Sequence, residues 1–197
     1  MIREGRIGDL RAIQGFFSYF NRDPENIRNI PNMGGGGLMD IGCYPITTSR
    51  FVLDEEPERV IGLMEYDPEM KVDRLSSGIL DFPSAQSSFV CSTQLVPYQR
   101  MNFFGTQGRI EIEIPFNAPP DQVCRISIDD GDLLGRNRVW KEFPVCDQYT
   151  LQGDLFSRAV KENEELPVTL EDSVRNMAVI DAIVRSAASS SWESPQI

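Results

Sequence analysis

Two residues that can move a proton stand four positions apart, shortly after a run of glycines. The run is Gly34–Gly37, Asp40 follows it, and Tyr44 comes about one helical turn later. On a helix, residues at this spacing share a face and have β-carbons roughly 5–6 Å apart. The pair would present a phenol beside a carboxylate, next to a backbone without side chains. This pattern indicates acid–base chemistry at the mouth of a site.

The composition narrows that chemistry. The 197 residues contain no histidine, which removes Ser-His and Cys-His nucleophile systems and most zinc and non-haem iron sites. Proton transfer near neutral pH must then use Tyr, Lys, Cys or a carboxylate. The four cysteines form no Cys-x-x-Cys pair, so we expect reduced thiols and no metal site.

Charge and hydropathy argue against two classes of partner. The formal net charge is −11, and Lys71, Lys141 and Lys161 are scattered, whereas nucleic-acid binding needs clustered Lys and Arg. No run of about 18 apolar residues is present, which argues against a membrane span. The N-terminus also lacks the apolar core of a signal peptide. We therefore expect a cytoplasmic protein with neither a nucleic-acid nor a membrane partner.

The elements around the Asp40–Tyr44 segment follow from residue periodicity. Residues from Leu10 to Phe20 read as a strand with apolar residues on both faces. The glycines lead into a helix of roughly Leu38 to Leu53. Pro45 falls inside that helix, where it lacks a donor and clashes with a preceding carbonyl, so the helix must kink there or start late.

The rest of the chain predicts an α+β fold. Alternation with period two dominates residues 59–143, with short turns between strands, which favours an antiparallel or mixed sheet. Two helices follow, with Asp147 and Thr169 as candidate caps. We predict one domain over residues 1–197, an open-faced, mostly antiparallel (mixed) sheet of about six to nine strands with helices mainly on one face. Residues 189–197 are expected to be a loose tail, and no Rossmann domain is present.

Five segments carry a resemblance to a known family. They follow in the same order as in the C-terminal domain of the Gfo/Idh/MocA oxidoreductases, and they are Ile7–Arg11, Asp23–Arg28, the glycine motif Gly34–Ile46, the turn segment Gly105–Ile110 and the helix Asn176–Ile183. This family includes glucose-fructose oxidoreductase and inositol dehydrogenase. The resemblance covers nearly the whole chain, and the glycine motif is its most specific part.

The resemblance implies a divided active site. Family members have an N-terminal Rossmann domain that binds NAD or NADP, followed by a sheet domain that supplies the substrate site and often the oligomer interface. Many members have a histidine where this chain has Tyr44, which looks like the glucose-fructose oxidoreductase and dimeric dihydrodiol dehydrogenase branch. There a tyrosine handles the proton, and a lysine comes from a Glu-Lys-Pro motif in the cofactor domain. Neither that motif nor a dinucleotide-binding glycine turn occurs here.

The expected consequence is a domain without its cofactor half. The chain would be an excised domain, a proteolytic fragment or a truncated reading frame, and its missing partner would be the Rossmann domain. The complete enzyme is expected to use NAD or NADP. The chain alone is expected to be inactive, with no tightly bound cofactor. A homo-oligomer formed through the open sheet face is also expected.

Each candidate residue has a structural explanation beside the functional one. Tyr44 is either the proton donor or a tyrosine that packs a helix on the sheet. Asp40 either orients the phenol or substrate hydroxyls, or caps a helix. Gly35 and Gly36 either let the backbone approach the cofactor or form a plain flexible loop. For Arg28, predicted to contact the cofactor, the alternative is a solvated loop.

Three further residues are predicted to contact the substrate. Asn26 lies in the loop that leads to the site, and Tyr98 and Arg100 lie on a later strand near its sheet end. The sequence therefore predicts the substrate-binding and proton-relay half of an NAD(P)-dependent oxidoreductase acting on a sugar, polyol or related hydroxy or carbonyl compound. The alternative is a non-catalytic module that binds a small ligand or drives oligomerisation.

Overall fold

A computed structural model describes residues 1–196 and shows a single eight-stranded sheet with its packed helices on one face. The strands are β1 (Leu10–Phe20), β2 (Arg59–Tyr66), β3 (Asp73–Asp81), β4 (Gln86–Ser92), β5 (Gln94–Gly105), β6 (Arg109–Ile112), β7 (Cys124–Asp129) and β8 (Val139–Phe143). The α-helices are α1 (Cys43–Leu53), α2 (Gln148–Glu162) and α3 (Leu170–Ser189). Short 3₁₀ turns span Ile27–Asn29 and Pro31–Met33, and a π-helical turn spans Leu38–Gly42.

The sheet is mixed, and β1 lies near its middle. The strand order is β2-β3-β4-β1-β5-β6-β7-β8. The pair β1–β4 is parallel, and the other neighbours are antiparallel. A parallel pair needs a crossover, and here the chain between β1 and β4 supplies it through α1 and the β2–β3 hairpin. The predicted fold class is confirmed.

Strand β1 begins and ends where the sequence predicts, and its alternation separates two environments. Ile13 and Phe17 are buried on the face that carries the helices, whereas Phe16 and Ser18 point to the open face. Gly15 lies between the two buried residues. A β-carbon there would come within 2.6 Å of the Pro45 side chain, so glycine allows α1 to approach the strand closely.

Helix α1 starts later than the pattern from Leu38 suggests. The first five residues form the π-helical turn, and regular α-helix begins only at Cys43. Pro45 is then the third residue of α1 and closely follows the π-helical turn, so its missing backbone donor falls where the helix changes from π to α geometry. The late start is one of the two solutions that Pro45 allowed, and it changes the geometry between Asp40 and Tyr44.

Two apolar clusters hold the sheet to its helices. One joins α1 and α3 to β2, β3, β4 and β1, with Leu80, Phe89 and Val179 among its buried members. The other lies under β1, β5, β6 and β7 and includes Ile7 and Met101. Helix α2 contributes no buried residue, although its first turn approaches the site. The candidate caps are present, since the side chains of Asp147 and Thr169 accept from backbone N–H groups of α2 and α3.

The C-terminal segment differs from the expected loose tail. Val60 and Glu193 exchange two backbone hydrogen bonds of 2.8 and 2.9 Å, and the Trp192 ring lies 4.7 Å from the guanidinium carbon of Arg59. The segment therefore adds to the edge of β2, because an unpaired edge strand offers free backbone groups. Ile197 lies outside the described residues. None of the helices within residues 1–196 combines the length and the apolar character needed to cross a membrane.

Candidate functional site

The glycine run encloses a buried carboxylate of this chain. Asp73 is 5% exposed, and its Oδ2 accepts from the Leu38 N–H and from the Ser76 hydroxyl, both at 2.7 Å. Burial raises the pKa of Asp73, against the hydrogen bonds that lower it. A helix N-terminus attracts an anion, and here a side chain of the domain already occupies that position.

The same contacts explain two of the glycines. A β-carbon at Gly35 would lie 2.7 Å from the Arg28 carbonyl oxygen, and one at Gly36, where φ is 128°, would collide with the Asp73 carboxylate. Both positions therefore require glycine for packing within the chain. Cofactor binding by Gly35 and Gly36 remains a prediction, and packing within the chain explains both glycines without it.

Asp40 is fixed by two donors from different elements. Its Oδ1 accepts from Arg28 Nε at 2.8 Å, and its Oδ2 accepts from the Tyr19 hydroxyl at 2.5 Å. Burial, together with the hydrogen bond to Asp40, raises the pKa of Tyr19 far above its ordinary value, so Tyr19 remains a donor. Among the described residues, Asp40 does not bond to the Tyr44 hydroxyl, because the π-helical turn alters the i,i+4 alignment of a regular helix.

Tyr44 presents its phenol at the edge of this cluster. The side chain is 45% exposed, and its ring packs against Phe17 and Phe116 with centroid distances of 5.8 and 5.4 Å. Burial raises the pKa of the Tyr44 phenol, and the neighbouring Cys43 and Asp40 raise it further, whereas Arg28 lowers it. Tyr44 is therefore protonated near neutral pH and held by ring contacts, with its hydroxyl end accessible.

These side chains border a cavity of about 310 Å³. Its walls combine aromatic rings with polar groups, a combination that suits a small polar ligand with apolar faces. The lining residues are Phe17, Tyr19, Asn21, Arg28, Asp40, Ile41, Tyr44, Phe116, Asn117 and Tyr149. Cys43 lies beside the cavity, and burial raises its pKa to about 11, so it stays a thiol.

Sequence reasoning missed several members of this cavity. The position of Tyr19 is predictable from the sequence, because alternation along β1 puts Tyr19 on the same face as Ile13 and Phe17. Phe116 lies in an irregular segment, and Tyr149 lies in the first turn of α2. No local pattern indicates that either residue returns to the site.

The structure separates the predicted substrate contacts from the phenol. The Asn26 side chain accepts from the Arg28 N–H at 3.1 Å and caps a 3₁₀ turn. Tyr98 and Arg100 point to the open face, since Met101 and Phe103 of the same strand are buried on the helix side. Of the predicted site residues, only Arg28, Asp40 and Tyr44 meet in the 310 Å³ cavity.

Tyr98 and Arg100 have partners of their own. The Tyr98 ring lies 5.5 Å from Phe16, also on the open face, and Arg100 lies 3.8 Å from Glu111. Both residues border a second cavity of about 510 Å³. Phe17 and Tyr19 of β1 also line it, as do Glu113, Ile114 and Asn117 in the segment after β6. Alternation along β5, which the sequence displays, is the physical reason for their separation from Tyr44.

The described residues offer few contacts for a nucleotide cofactor or a metal. Arg28 is the best fit to a cofactor, because its guanidinium is about half-exposed and only Nε is engaged within residues 1–196. The glycine run fits a phosphate poorly, since Asp73 fills that cradle. Within the same residues, no group of three or more Cys, Asp or Glu side chains is arranged as metal ligands.

Comparison with known proteins gives consistent matches. A family model described as the GFO/IDH/MocA C-terminal domain matches residues 1–111. An uncharacterized oxidoreductase of Rhizobium meliloti is 42% identical over 195 residues, which are 98% of this chain and 58% of that protein. A D-xylose 1-dehydrogenase (NADP⁺) of Haloferax volcanii is 32% identical over 186 residues, 92% of this chain and 55% of that protein.

Solved structures show the same fold. A 3-ketoreductase from Actinomadura kijaniata in complex with NADP and TDP-benzene matches with a TM-score of 0.84 and 24% identity, over 94% of this chain and 56% of that one. An aldose-aldose oxidoreductase from Caulobacter crescentus in complex with glycerol matches with a TM-score of 0.81 and 23% identity, over 98% and 58%. This chain thus spans little more than half the length of each of these four proteins.

Proposed function

This chain belongs to the Gfo/Idh/MocA oxidoreductases as a C-terminal domain, and we propose that it is the substrate-binding and proton-relay half of an NAD(P)-dependent enzyme. The proposed substrate is a sugar, a polyol or a related hydroxy or carbonyl compound. The observation that carries the proposal is the Tyr44 phenol, protonated and accessible at the cavity beside Asp40. The names of the relatives, which include a xylose dehydrogenase and a sugar ketoreductase, support the substrate class.

Tyr44 acts as the general acid in reduction. Its phenol donates a proton to the carbonyl oxygen of the substrate as that oxygen gains negative charge, and in oxidation the phenolate accepts the proton of the alcohol. A nicotinamide cofactor supplies or accepts the hydride when bound. The raised pKa keeps Tyr44 protonated near neutral pH, so its phenol carries the proton that is to be donated. The acceptor role needs a nearby cation to stabilise the phenolate, and a lysine from a cofactor domain would provide one.

Asp40 and the aromatic walls orient the substrate. An ionised carboxylate has about four lone-pair sites, and Arg28 and Tyr19 occupy two of them. The remaining sites accept substrate hydroxyls, while the rings of Phe17 and Phe116 cover the apolar face of a sugar ring and reduce its contact with water. Arg28 is the side chain of this chain proposed to reach the cofactor, beside the backbone of Gly35 and Gly36.

Two partners complete the proposal. The first is a Rossmann domain, proposed because the matched proteins are longer than this chain. The second is another copy of the chain on the open sheet face, where Leu63 is 73% and Ile79 is 42% exposed on neighbouring strands. Sedimentation of the isolated chain tests the second partner, and a monomer at all concentrations would contradict it.

The function is tested by Tyr44→Phe in the enzyme that joins this chain to its cofactor domain. Loss of the proton donor should lower kcat by about 10²–10⁴-fold, with a cofactor Kd that changes less than about twofold, since the ring and its packing remain. Tyr66→Phe is the matched control, because Tyr66 lies at the end of edge strand β2. An unchanged kcat in Tyr44→Phe would remove Tyr44 from the mechanism.

The isolated chain provides a second measurement. Without a dinucleotide fold it should show no dehydrogenase activity and bind NAD or NADP weakly. Submicromolar binding of either cofactor in a calorimetric titration would contradict this expectation and place more of the cofactor site within this chain.

A further inference from the structure

Tyr19 is a second tyrosine at the cavity, and the proposed reaction does not yet use it. Its hydroxyl donates to Asp40 Oδ2, while Arg28 Nε donates to Oδ1. We propose that Tyr19 is a positioning residue which, together with Arg28, fixes the Asp40 carboxylate beside Tyr44. This inference rests on the function proposed above. We call these three residues, Tyr19, Arg28 and Asp40, the Asp40 clamp.

The clamp connects Asp40 to the most central part of the fold. Asp40 lies in the π-helical turn and Arg28 in a 3₁₀ turn, both irregular elements. Tyr19 directly follows Ser18, which is paired to both β4 and β5, and lies at the register irregularity between Ser18 and Phe20. A functional group on irregular backbone is held more accurately when its supporting residue is anchored to a rigid element, and Tyr19 is the clamp residue that adjoins the paired part of β1.

The same strand also positions the phenol. Phe17 is two residues before Tyr19, on the same face of β1, and its ring packs on Tyr44. Two side chains on one face of β1 thus contact both the acceptor Asp40 and the donor Tyr44. Strand β1 therefore contributes to the relative position of the carboxylate and the phenol, in addition to the helical turn that carries both residues.

Tyr19 does not serve as a proton donor to the substrate. Burial and Asp40 raise its pKa, and its hydroxyl donates to the Asp40 carboxylate at 2.5 Å. The charged or titratable groups around it at the cavity are Arg28, Asp40, Tyr44 and Tyr149. Within residues 1–196, the phenols of Tyr44 and Tyr149 make no hydrogen bond to a carboxylate, and of these two it is Tyr44 whose ring packs on Phe17 of β1. Tyr44 and Tyr19 therefore divide the work: Tyr44 transfers the proton and Tyr19 holds the acceptor.

The first test uses the isolated chain and does not depend on any activity. Tyrosines are labelled with carbon-13 at Cζ and titrated by NMR in the wild type and in Asp40→Asn. We expect the Tyr19 pKa to fall in Asp40→Asn, because the hydrogen bond and the charge that raise it are weakened, whereas the Tyr66 pKa stays the same. An unchanged Tyr19 pKa would overturn the clamp itself.

The second test uses the complete enzyme and separates positioning from a general structural role. Tyr19→Phe should lower kcat about 10-fold with a cofactor Kd within about twofold, the pattern of a loss in the transition state. In the Asp40→Asn background, the further loss from Tyr19→Phe should be less than about twofold, since residues that act through one another are non-additive. Tyr66→Phe serves as the control in both backgrounds.

The outcomes test the positioning role of Tyr19 and the proposed function separately. Equal kcat losses from Tyr19→Phe in both backgrounds would overturn the positioning role, because Tyr19 would then act independently of Asp40. An unchanged kcat in Asp40→Asn and Tyr44→Phe would overturn the proposed function, and with it the catalytic consequence of the clamp. In that case the NMR titration still reports whether the clamp exists as a physical interaction.

Discussion

Two arginine–carboxylate clusters lie on the helix side of the sheet. They differ in how many of their hydrogen-bonding groups have a partner within residues 1–196. Arg50 of α1 is 4% exposed, bonds both carboxylate oxygens of Glu56 at 2.6 and 2.7 Å, and reaches Asp172 of α3 at 2.9 Å. We call these three residues the Arg50 cluster. In the Asp40 clamp, the Arg28 side chain is 47% exposed and bonds through Nε alone within residues 1–196.

The difference separates a structural cluster from a functional one. Arg50 directs all three of its guanidinium nitrogens to partners in the loop after α1 and in α3, so its geometry is complete without any ligand. The Asp40 clamp has unused guanidinium donors, unused carboxylate lone pairs and an accessible phenol beside it. Incomplete hydrogen bonding at a cavity is what a site needs if a ligand is to supply the remaining partners.

The largest effect on stability is expected for Arg50→Met. The substitution leaves Glu56 and Asp172 facing each other without a cation, and breaking a buried pair in this way costs about 3–5 kcal/mol. Since these carboxylates keep 34% and 35% exposure, we expect a loss of about 2–3 kcal/mol in the free energy of unfolding. Urea denaturation measures it, and a loss below about 1 kcal/mol would show that the cluster is not a structural support.

A smaller effect is expected for the matched substitution Arg28→Met. The Arg28–Asp40 pair is partly exposed, and such pairs contribute roughly 0–1 kcal/mol. Asp40 also keeps the Tyr19 hydroxyl as a donor. The free energy of unfolding should therefore fall by less than about 1 kcal/mol in the same urea assay. If Arg28→Met destabilised the chain as much as Arg50→Met, the distinction between the two clusters would be lost.

The fold was largely readable from the sequence because periodicity and capping are local signals. The bounds of β1, the mixed sheet and the two caps at Asp147 and Thr169 follow from alternation and from residue type alone. The C-terminal segment was misjudged for the opposite reason. Its serines suggest mobility, but its pairing with Val60 depends on the free edge of β2, which only the assembled sheet reveals.

The site was readable only in part. Arg28, Asp40 and Tyr44 border one cavity, and their arrangement depends on the π-helical turn and on Tyr19. The glycine run suggested a ligand, whereas the space beside it holds Asp73, from a strand more than 30 residues away. The approach of distant segments to one another, such as Tyr149 and Tyr44 at the same cavity, has no local sequence signal.

The smallest expected effect is a change in the free energy of unfolding at alkaline pH. It distinguishes the two clusters because their hydrogen-bond donors differ. The Arg50 cluster has only a guanidinium donor, which does not titrate, but the Asp40 clamp includes the Tyr19 hydroxyl. The pKa of Tyr19 is raised in the folded chain above its unfolded value of about 10, so the folded state holds that proton more tightly. The resulting stability is fully present below about pH 10 and is lost as the pH rises through the folded-state pKa.

Tyr19→Phe lacks this contribution, so its unfolding free energy should fall less steeply above about pH 10 than that of the wild type. Tyr44 and Tyr66, whose pKa values are also raised, remain in both proteins and do not affect the difference. Arg50→Met should keep the steep slope of the wild type, although it is less stable at every pH. Parallel slopes for the wild type and Tyr19→Phe would mean that the Tyr19 proton is not held by the Asp40 clamp, and the clamp would then be no more than an exposed ion pair between Arg28 and Asp40.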